Sequence, residues 1–371
     1  MAHSEAKQRL DRLLGYIEHD PDNAMLLRDA AQAALDADEL SQAKALFGQL
    51  RDLGTITDAD SNLWAIAAMR SGDPEHAAET FAGLLEQQPD NTALKFNLAW
   101  ARALAKDMDG ARAVLDAETV DALPQAAQLE LQLMHEAGEF DEAAERAKAL
   151  LERHPDYPPL LAAVSVLAMD IEDEALAREC AEKAGNHPDA ITTLATLTLG
   201  DQEPEKARAM FEQSLAINAH SPRAWVGLGL TDMIEGRNAE AGRHIDKGAE
   251  MFGTHLGSWI AAGWAYLLAG DRATARERFE RSVEIDDTFA EGQGSLAVME
   301  LLDGETQAAE RRVEVALRLD RQCFSAAFAK VLMSAAAGDT QQAQRIVEIA
   351  LKQPIAADGR TIADAIARMA R

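Results

Sequence analysis

The residues able to do chemistry are spread thinly along this chain. Nine histidines and two cysteines are scattered over 371 residues. His154 and His187 each precede a proline, Pro155 and Pro188, which places them in turns. His135 is followed by Glu136, but the second histidine of a zinc-binding HExxH helix is missing. Cys180 and Cys323 stand far apart with no CxxC, so neither a disulfide framework nor a zinc site is supported. No phosphate-binding GxxxxGK[ST] loop and no GxSxG nucleophile turn occurs, and the stretch GLGLTDMIEG (Gly227–Gly236) has no strand before it. Acidic pairs such as Glu284 and Asp286–Asp287 fall on turns and solvated faces. With no catalytic constellation, metal set or cofactor cradle, the chain is expected to be non-enzymatic and to use no cofactor. The chemistry left is recognition, and its densest sign is Trp259, Trp264 and Tyr266 within SWIAAGWAYLLAGDRATARERFERSV (Ser258–Val283).

The elements that must position those side chains are helical. Composition is 47% hydrophobic but only 5% aromatic. Alanine, leucine and glutamate dominate and favour helix, and few segments alternate as a strand would. The formal net charge of -27 repels phosphate backbones and anionic bilayers, so nucleic acid and membranes are unlikely partners. The opening MAHSEAKQRL lacks the apolar core of a signal peptide, and no run approaches the ~18 apolar residues of a membrane span. A soluble cytoplasmic protein, without membrane insertion, is expected.

A repeat organises the helices. Ala43, Ala77, Ala111, Ala143, Ala177, Ala207, Ala241, Ala275, Ala309 and Ala343 are spaced by 34, 34, 32, 34, 30, 34, 34, 34 and 34 residues. Four residues later stand Phe47, Phe81, Leu115, Ala147, Ala181, Phe211, Ile245, Phe279, Val313 and Val347. Five residues before the alanine, Gly72, Gly138, Gly236, Gly270, Gly304 and Gly338 suit a left-handed residue closing a first helix. Polar residues after them, as in SGDPE and AGDRA, can cap a second helix. Pro21, Pro89, Pro155 and Pro188 punctuate unit ends.

This pattern resembles the tetratricopeptide repeat family, whose first helix reads W-x2-L-G-x2-Y before A-x3-F. Trp225, Leu228 and Gly229 match it, as do Trp259, Gly263 and Tyr266. The resemblance covers about ten units from Ala24 to Lys352. It implies an all-α solenoid of antiparallel helix pairs, coiled into a right-handed superhelix with capping helices at both ends. Residues 1–23 supply the first cap, with Leu10, Leu13, Leu14 and Ile17 on one face. Residues 353–371 supply the last, with Ile362, Ile366 and Met369 in helical spacing. Between them lie units 1–4 (24–157), irregular units 5–6 (158–221) and regular units 7–10 (222–352). The irregular part has shortened first helices and the β-branched run TTLATLTL (Thr192–Leu199). A bend or softer joint there, and ordinary repeat drift, both remain open.

Family geometry puts function on the concave face, at positions 5 and 9 of each first helix, counting position 1 nineteen residues before the marker alanine. Trp225 and Trp259 at position 4, Tyr266 at position 11 and Trp64 at position 7 are then core. Trp264 at position 9 is about 140° around the helix from Trp259 and is not required by packing. The candidate groove residues are Phe96 and Trp100 in the N-terminal half. In the C-terminal half they are Val226, Leu230, Ile260, Trp264, Val298, Phe328 and Leu332, with Met233, Leu267 and Leu301 one turn on. The middle carries Gln128 and Gln132, Ala162 and Val166, and Thr192 and Thr196, a more polar set. A contiguous apolar stripe marks an interaction surface, unless tight curvature or a neighbouring segment buries it. The family's carboxylate clamp does not fit: Asn97 could be its central asparagine, but Ile66, Gln125 and Leu129 stand where Asn, Lys and Arg are needed. The expected partner is one or more proteins, bound as a peptide or helix in the groove of 222–352, with the chain acting as a scaffold or adaptor. A chaperone or assembly factor for secretion, pilus, envelope or magnetosome-like structures, and a peptide-responsive regulator, are the alternatives. Self-association is also open.

Overall fold

The computed structural model describes residues 2–339 together with 341, 344 and 345. All the elements among these residues are helices. The chain divides into two compact units, Met1–Leu160 and Leu161–Arg371.

The first unit opens with α1 (Ala2–Ile17). Hairpins follow: α2 (Ala24–Asp36) with α3 (Leu40–Asp52), and α4 (Asp58–Arg70) with α5 (Pro74–Gln87). Next come α6 (Thr92–Leu104) with α7 (Met108–Val114), a short α8 (Ala117–Ala122), and α9 (Pro124–Glu136) with α10 (Phe140–Arg153). α11 (Pro158–Asp170) carries the boundary between the units. The second unit continues with α12 (Glu174–Ala184), then α13 (Pro188–Gly200) with α14 (Pro204–Ile217), and α15 (Pro222–Ile234) with α16 (Asn238–Phe252). It goes on through α17 (Leu256–Leu268) with α18 (Arg272–Ile285), α19 (Ala290–Leu302) with α20 (Thr306–Leu319), and α21 (Phe324–Ala336). The tenth marker pair, Ala343 and Val347, and the closing cap expected over 353–371 lie outside the described residues.

The register of the repeat is written into the backbone. The residue five before each marker alanine has a positive φ in all ten units: 56° at Asp38, 80° at Gly72, 66° at Lys106, 74° at Gly138, 59° at Glu172, 64° at Gln202, 77° at Gly236, 86° at Gly270, 84° at Gly304 and 79° at Gly338. The amide of the next residue then folds back onto the helix, as Asp73 N to Ala68 O at 3.0 Å, which satisfies a last-turn carbonyl. Six units use glycine for this conformation and four force it on a side-chain-bearing residue.

Behind most of these turns the second helix presents its alanine and a large apolar residue to the core. Ala43 and Phe47, Ala77 and Phe81, Ala207 and Phe211, and Ala275 and Phe279 are all fully buried. The alanine lets the paired helix close in, and the residue four on fills the space beyond. α1 covers the outer side of the first hairpin, with Leu10 buried and Leu13, Leu14 and Ile17 packed against the cluster of Leu27, Ala30 and Phe47.

Neighbouring hairpins are also tied by charge. The residue after the marker alanine, where basic, reaches an acid of the next hairpin's turn: Lys44 to Asp73 at 2.7 Å, Arg112 to Glu139 at 2.7 Å, Arg178 to Asp201 at 2.9 Å, Arg208 to Glu235 at 2.7 Å and Arg276 to Asp303 at 2.5 Å.

The irregularities fall differently from the sequence expectation. α11 and α13 keep the 13 residues of the other first helices, and the short spacing of 30 falls instead on the second helix, α12, with 11 residues and a stop at Gly185 (φ 64°). TTLATLTL is helical. Its threonines return their hydroxyls to the helix backbone, Thr192 Oγ1 to Pro188 O at 3.0 Å and Thr196 Oγ1 to Thr192 O at 2.9 Å, while Ala195 and Leu197 are buried. A real interruption lies in the first unit, where Leu115 and Asp116 are extended between α7 and α8. Asp116 holds that break by capping α8 at Thr119 N (2.8 Å) and pairing with Lys95 of α6 at 2.6 Å.

Candidate binding groove

Each first helix has two faces spoken for and one left over. On α15, a Cβ at Gly227 would stand 2.3 Å from Phe211 of the preceding hairpin, and one at Gly229 would stand 2.4 Å from Ile245 of its own second helix. The remaining face carries positions 2, 9 and 13, which a period of 3.6 places in line. On α15 these are Arg223, Leu230 and Ile234; on α17 they are Gly257, Trp264 and Leu268; on α19, Glu291, Val298 and Leu302.

Position 13 is the row that sequence reasoning missed. Ile234, Leu268 and Leu302 are 50%, 59% and 38% exposed, and they recur every 34 residues at the last turn of successive first helices. Leu104 occupies the same place on α6, beside exposed Trp100. The 34-residue register was the signal that could have found them, because it fixes position 13 as firmly as position 9.

Position 5 is used differently from the expectation. Val226 packs toward α16, where a Cβ on Gly248 would meet its Cγ2 at 2.6 Å. Thr192 is buried with its hydroxyl 2.8 Å from Ser214. Ile260 packs beside Phe279, and Phe96 stacks on Trp100 with ring centroids 5.8 Å apart. Of the sequence-predicted groove residues, Trp100, Leu230 and Phe328 are exposed. Phe96, Val226, Met233, Ile260, Trp264, Leu267, Leu301 and Leu332 are half-buried. Val298 is 1% exposed and belongs to the core.

Val298 is buried because α21 packs closely on α19. Small residues make the approach: a Cβ on Gly294 would stand 2.6 Å from the Ala326 nitrogen, and Ser295 Oγ donates to Ser325 Oγ at 3.0 Å. Glu291 of α19 also caps α21, accepting from Phe324 N at 2.6 Å and Ser325 N at 3.1 Å. Trp264 then meets Phe279 and Phe328 edge-on, with centroids 5.6 and 5.8 Å away. Trp264 therefore bridges core and groove, and the exposed apolar surface is carried by Leu230, Ile234, Leu268, Leu302 and Phe328.

The other aromatics are structural. Trp259 is buried with its Nε1 donating to Gly253 O at 3.0 Å. Tyr266 donates its hydroxyl to Asp246 at 2.9 Å, and burial together with that carboxylate pushes its pKa up to about 12. Trp225 lies under the Lys247 ammonium, 3.7 Å from the ring centroid. Buried Asp232 is satisfied by Arg208 (2.6 Å), Arg237 (2.9 Å) and His244 (2.7 Å).

No reactive nucleophile emerges from the cysteines: burial raises the thiols to about 11 at Cys180 and about 12 at Cys323, away from the reactive thiolate. Among the described residues no group of three or more His, Cys, Asp or Glu is placed to hold a metal ion, and no helix is long and apolar enough to cross a membrane. Beside the α7–α8 break lies a cavity of about 220 Å³ lined by Arg112, Leu115, Glu130, Leu133, Met134 and Arg146. Its arginines are already engaged, Arg112 with Glu139 and Arg146 with Glu130 at 2.7 Å.

Residues 62–127 match a family model described as tetratricopeptide repeat. No curated protein sequence matches the chain. Among solved structures, the chain is similar to the APC/C hetero-tetramer Cut9–Hcn1, at 10% identity and a TM-score of 0.59, over 86% of this chain and 76% of that one. It is also similar to a monomeric mutant of IFIT1 with Gppp-AAAA, at 12% identity and a TM-score of 0.55, over 93% of this chain and 94% of that one. At these identities the likeness is one of fold.

Proposed function

Starting from a chain that is an array of tetratricopeptide-type hairpins, we propose that it is a non-enzymatic scaffold whose groove holds a segment of another protein. The segment lies against the inner face of the first helices from residue 222 onward. The observation that carries this reading is the exposed apolar row Ile234, Leu268 and Leu302, flanked by Leu230 and Phe328. Packing leaves the last turn of this face exposed on α15, α17 and α19 alike, and exposed apolar surface that recurs in this way is the mark of an interaction site.

Two features support polypeptide as the occupant. The net charge of -27 opposes a phosphate-bearing ligand such as the Gppp-AAAA held by IFIT1. Cut9, of similar fold, stands in a hetero-tetramer with Hcn1. The test compares wild type with Leu230→Asp/Leu268→Asp, both at exposed sites. A protein captured from native lysate by wild type is purified and titrated against each form by calorimetry. The double variant, with unchanged circular dichroism, is expected to lose at least tenfold in affinity. Equal affinity for both forms contradicts the groove assignment.

A further inference from the structure

The cavity beside the α7–α8 break exists because the repeat fails there. In other units the residue four after the marker alanine sits inside the second helix and fills the hairpin, as the fully buried Phe47, Phe81, Phe211 and Phe279 do. After Ala111 the helix stops at Val114, and Leu115 turns extended (φ −77°, ψ 96°) and stays half-buried. The space it does not fill is the cavity of about 220 Å³, lined from α7 by Arg112, from α9 by Glu130, Leu133 and Met134, and from α10 by Arg146. Leu133 and Met134 stand three and four residues after Glu130, so all three share one side of α9.

The two ion pairs at this cavity are bonded differently. Arg112 gives both terminal nitrogens to Glu139, Nη1 to Oε1 at 2.8 Å and Nη2 to Oε2 at 2.7 Å. Arg146 reaches Glu130 through Nε alone, 2.7 Å from Oε2. Among the described residues its Nη1 and Nη2 donate to no other group, and Glu130 Oε1 accepts from none. Both side chains stay open to solvent, at 31% and 26% exposure. A guanidinium has five donors and a carboxylate about four acceptor sites, so most of the pair's capacity is unspent. Because the two groups are bonded to each other, spare donors and a spare acceptor stand side by side, next to the apolar Leu115, Leu133 and Met134.

A free α-amino acid has the matching pattern. Its carboxylate and ammonium sit on one carbon, and its side chain leaves from the same carbon. The carboxylate takes the Nη1/Nη2 edge of Arg146, where a bidentate pair is strong. The ammonium donates to Glu130 Oε1. A lone anion would have Glu130 beside it and a lone cation would have Arg146, whereas a zwitterion meets both with opposite charge. A space of about 220 Å³ is smaller than the ~300–1,000 Å³ of sites for drug-sized molecules, which suits one amino acid.

We infer that this cavity binds a free apolar α-amino acid, held by Arg146 and Glu130 with its side chain on Leu115, Leu133 and Met134. The inference goes beyond the groove reading and does not depend on it, since the site lies in the first unit and takes a ligand of another class.

The experiment titrates the full chain with L-leucine and, separately, L-phenylalanine, followed by saturation-transfer NMR. The N-acetyl form of the amino acid that binds lacks the ammonium, and its amide lacks the carboxylate. The variants are Arg146→Gln, Glu130→Gln and Met134→Trp, which fills the cavity, each checked by circular dichroism. If one does not fold, the other two carry the test. The expected result is saturable binding of at least one amino acid at millimolar concentration or below. It should weaken at least tenfold in every folded variant and for both blocked forms. Binding of neither amino acid, or binding in the variants equal to wild type, overturns the inference. Equal binding of a blocked form also overturns it, and would mean a site for one end of a peptide. Leu230→Asp/Leu268→Asp, in the second unit, should bind the amino acid like wild type, so the two readings fail separately.

Discussion

Single residues carry this structure where helices come closest and where the chain leaves its pattern. Gly263 is such a point: a Cβ there would lie 2.3 Å from Phe279, which is fully buried and cannot swing aside. Gly263→Ala should cost about 1–3 kcal/mol of stability, read as a lower urea midpoint, because it overpacks the core. Asp116 is another. Lys95 and the Thr119 amide hold its carboxyl down, from 3.8 to about 2. A depressed acid stabilises the fold above its unfolded pKa and loses that contribution as pH falls through the folded one. Asp116→Ala should therefore cost about 1 kcal/mol at pH 7 through the lost cap, and the difference from wild type should shrink as pH falls from 3.8 toward 2. Urea titrations of both proteins at pH 7 and pH 3 check it. At this scale the sequence was readable where a residue repeats and silent where it does not. Trp225, Trp259 and Tyr266 were expected in the wall and are found there.

Helices and turns were the most legible level, since one physical constraint recurs in every unit. The left-handed turn five residues before the marker alanine was expected from six glycines, and the same conformation occurs at Asp38, Lys106, Glu172 and Gln202, where composition hid it. Those four residues hold a backbone shape that costs a side chain about 1 kcal/mol relative to glycine. Lys106→Gly should accordingly stabilise the first unit by about 1 kcal/mol, and Gly236→Ala should destabilise the second by a similar amount. A thermal melt that moved in the same direction for both would refute this account of the turn. TTLATLTL misled in the opposite sense. Its β-branched residues disfavour helix locally, but burial of Ala195 and Leu197 outweighs propensity, and Thr192 and Thr196 bond to carbonyls of their own helix. The α7–α8 break was invisible as a break because a marker spacing of 32 looked like a small slip.

For the molecule as a whole, repetition decides where binding surface can exist. Each hairpin buries one face of its first helix against its own second helix and another against the preceding hairpin, and what remains recurs from unit to unit. The sequence reading placed that remainder at positions 5 and 9. The structure gives position 5 largely to packing, buries Val298 at position 9 of α19, and adds position 13, where Ile234, Leu268 and Leu302 come in. The reason is geometric: small residues at Gly294, Ser295 and Ala326 let α21 close over α19, and no count along a single helix reveals that approach. The central claim is that this inner face, and not the outer one, receives a partner segment. A photo-crosslinking residue at position 268, on the inner row, and another at position 277, on the outer helix α18 where Glu277 is exposed, test it directly in the native lysate. The account predicts a discrete protein adduct from position 268 and none from 277; an adduct from 277 with none from 268 would contradict it.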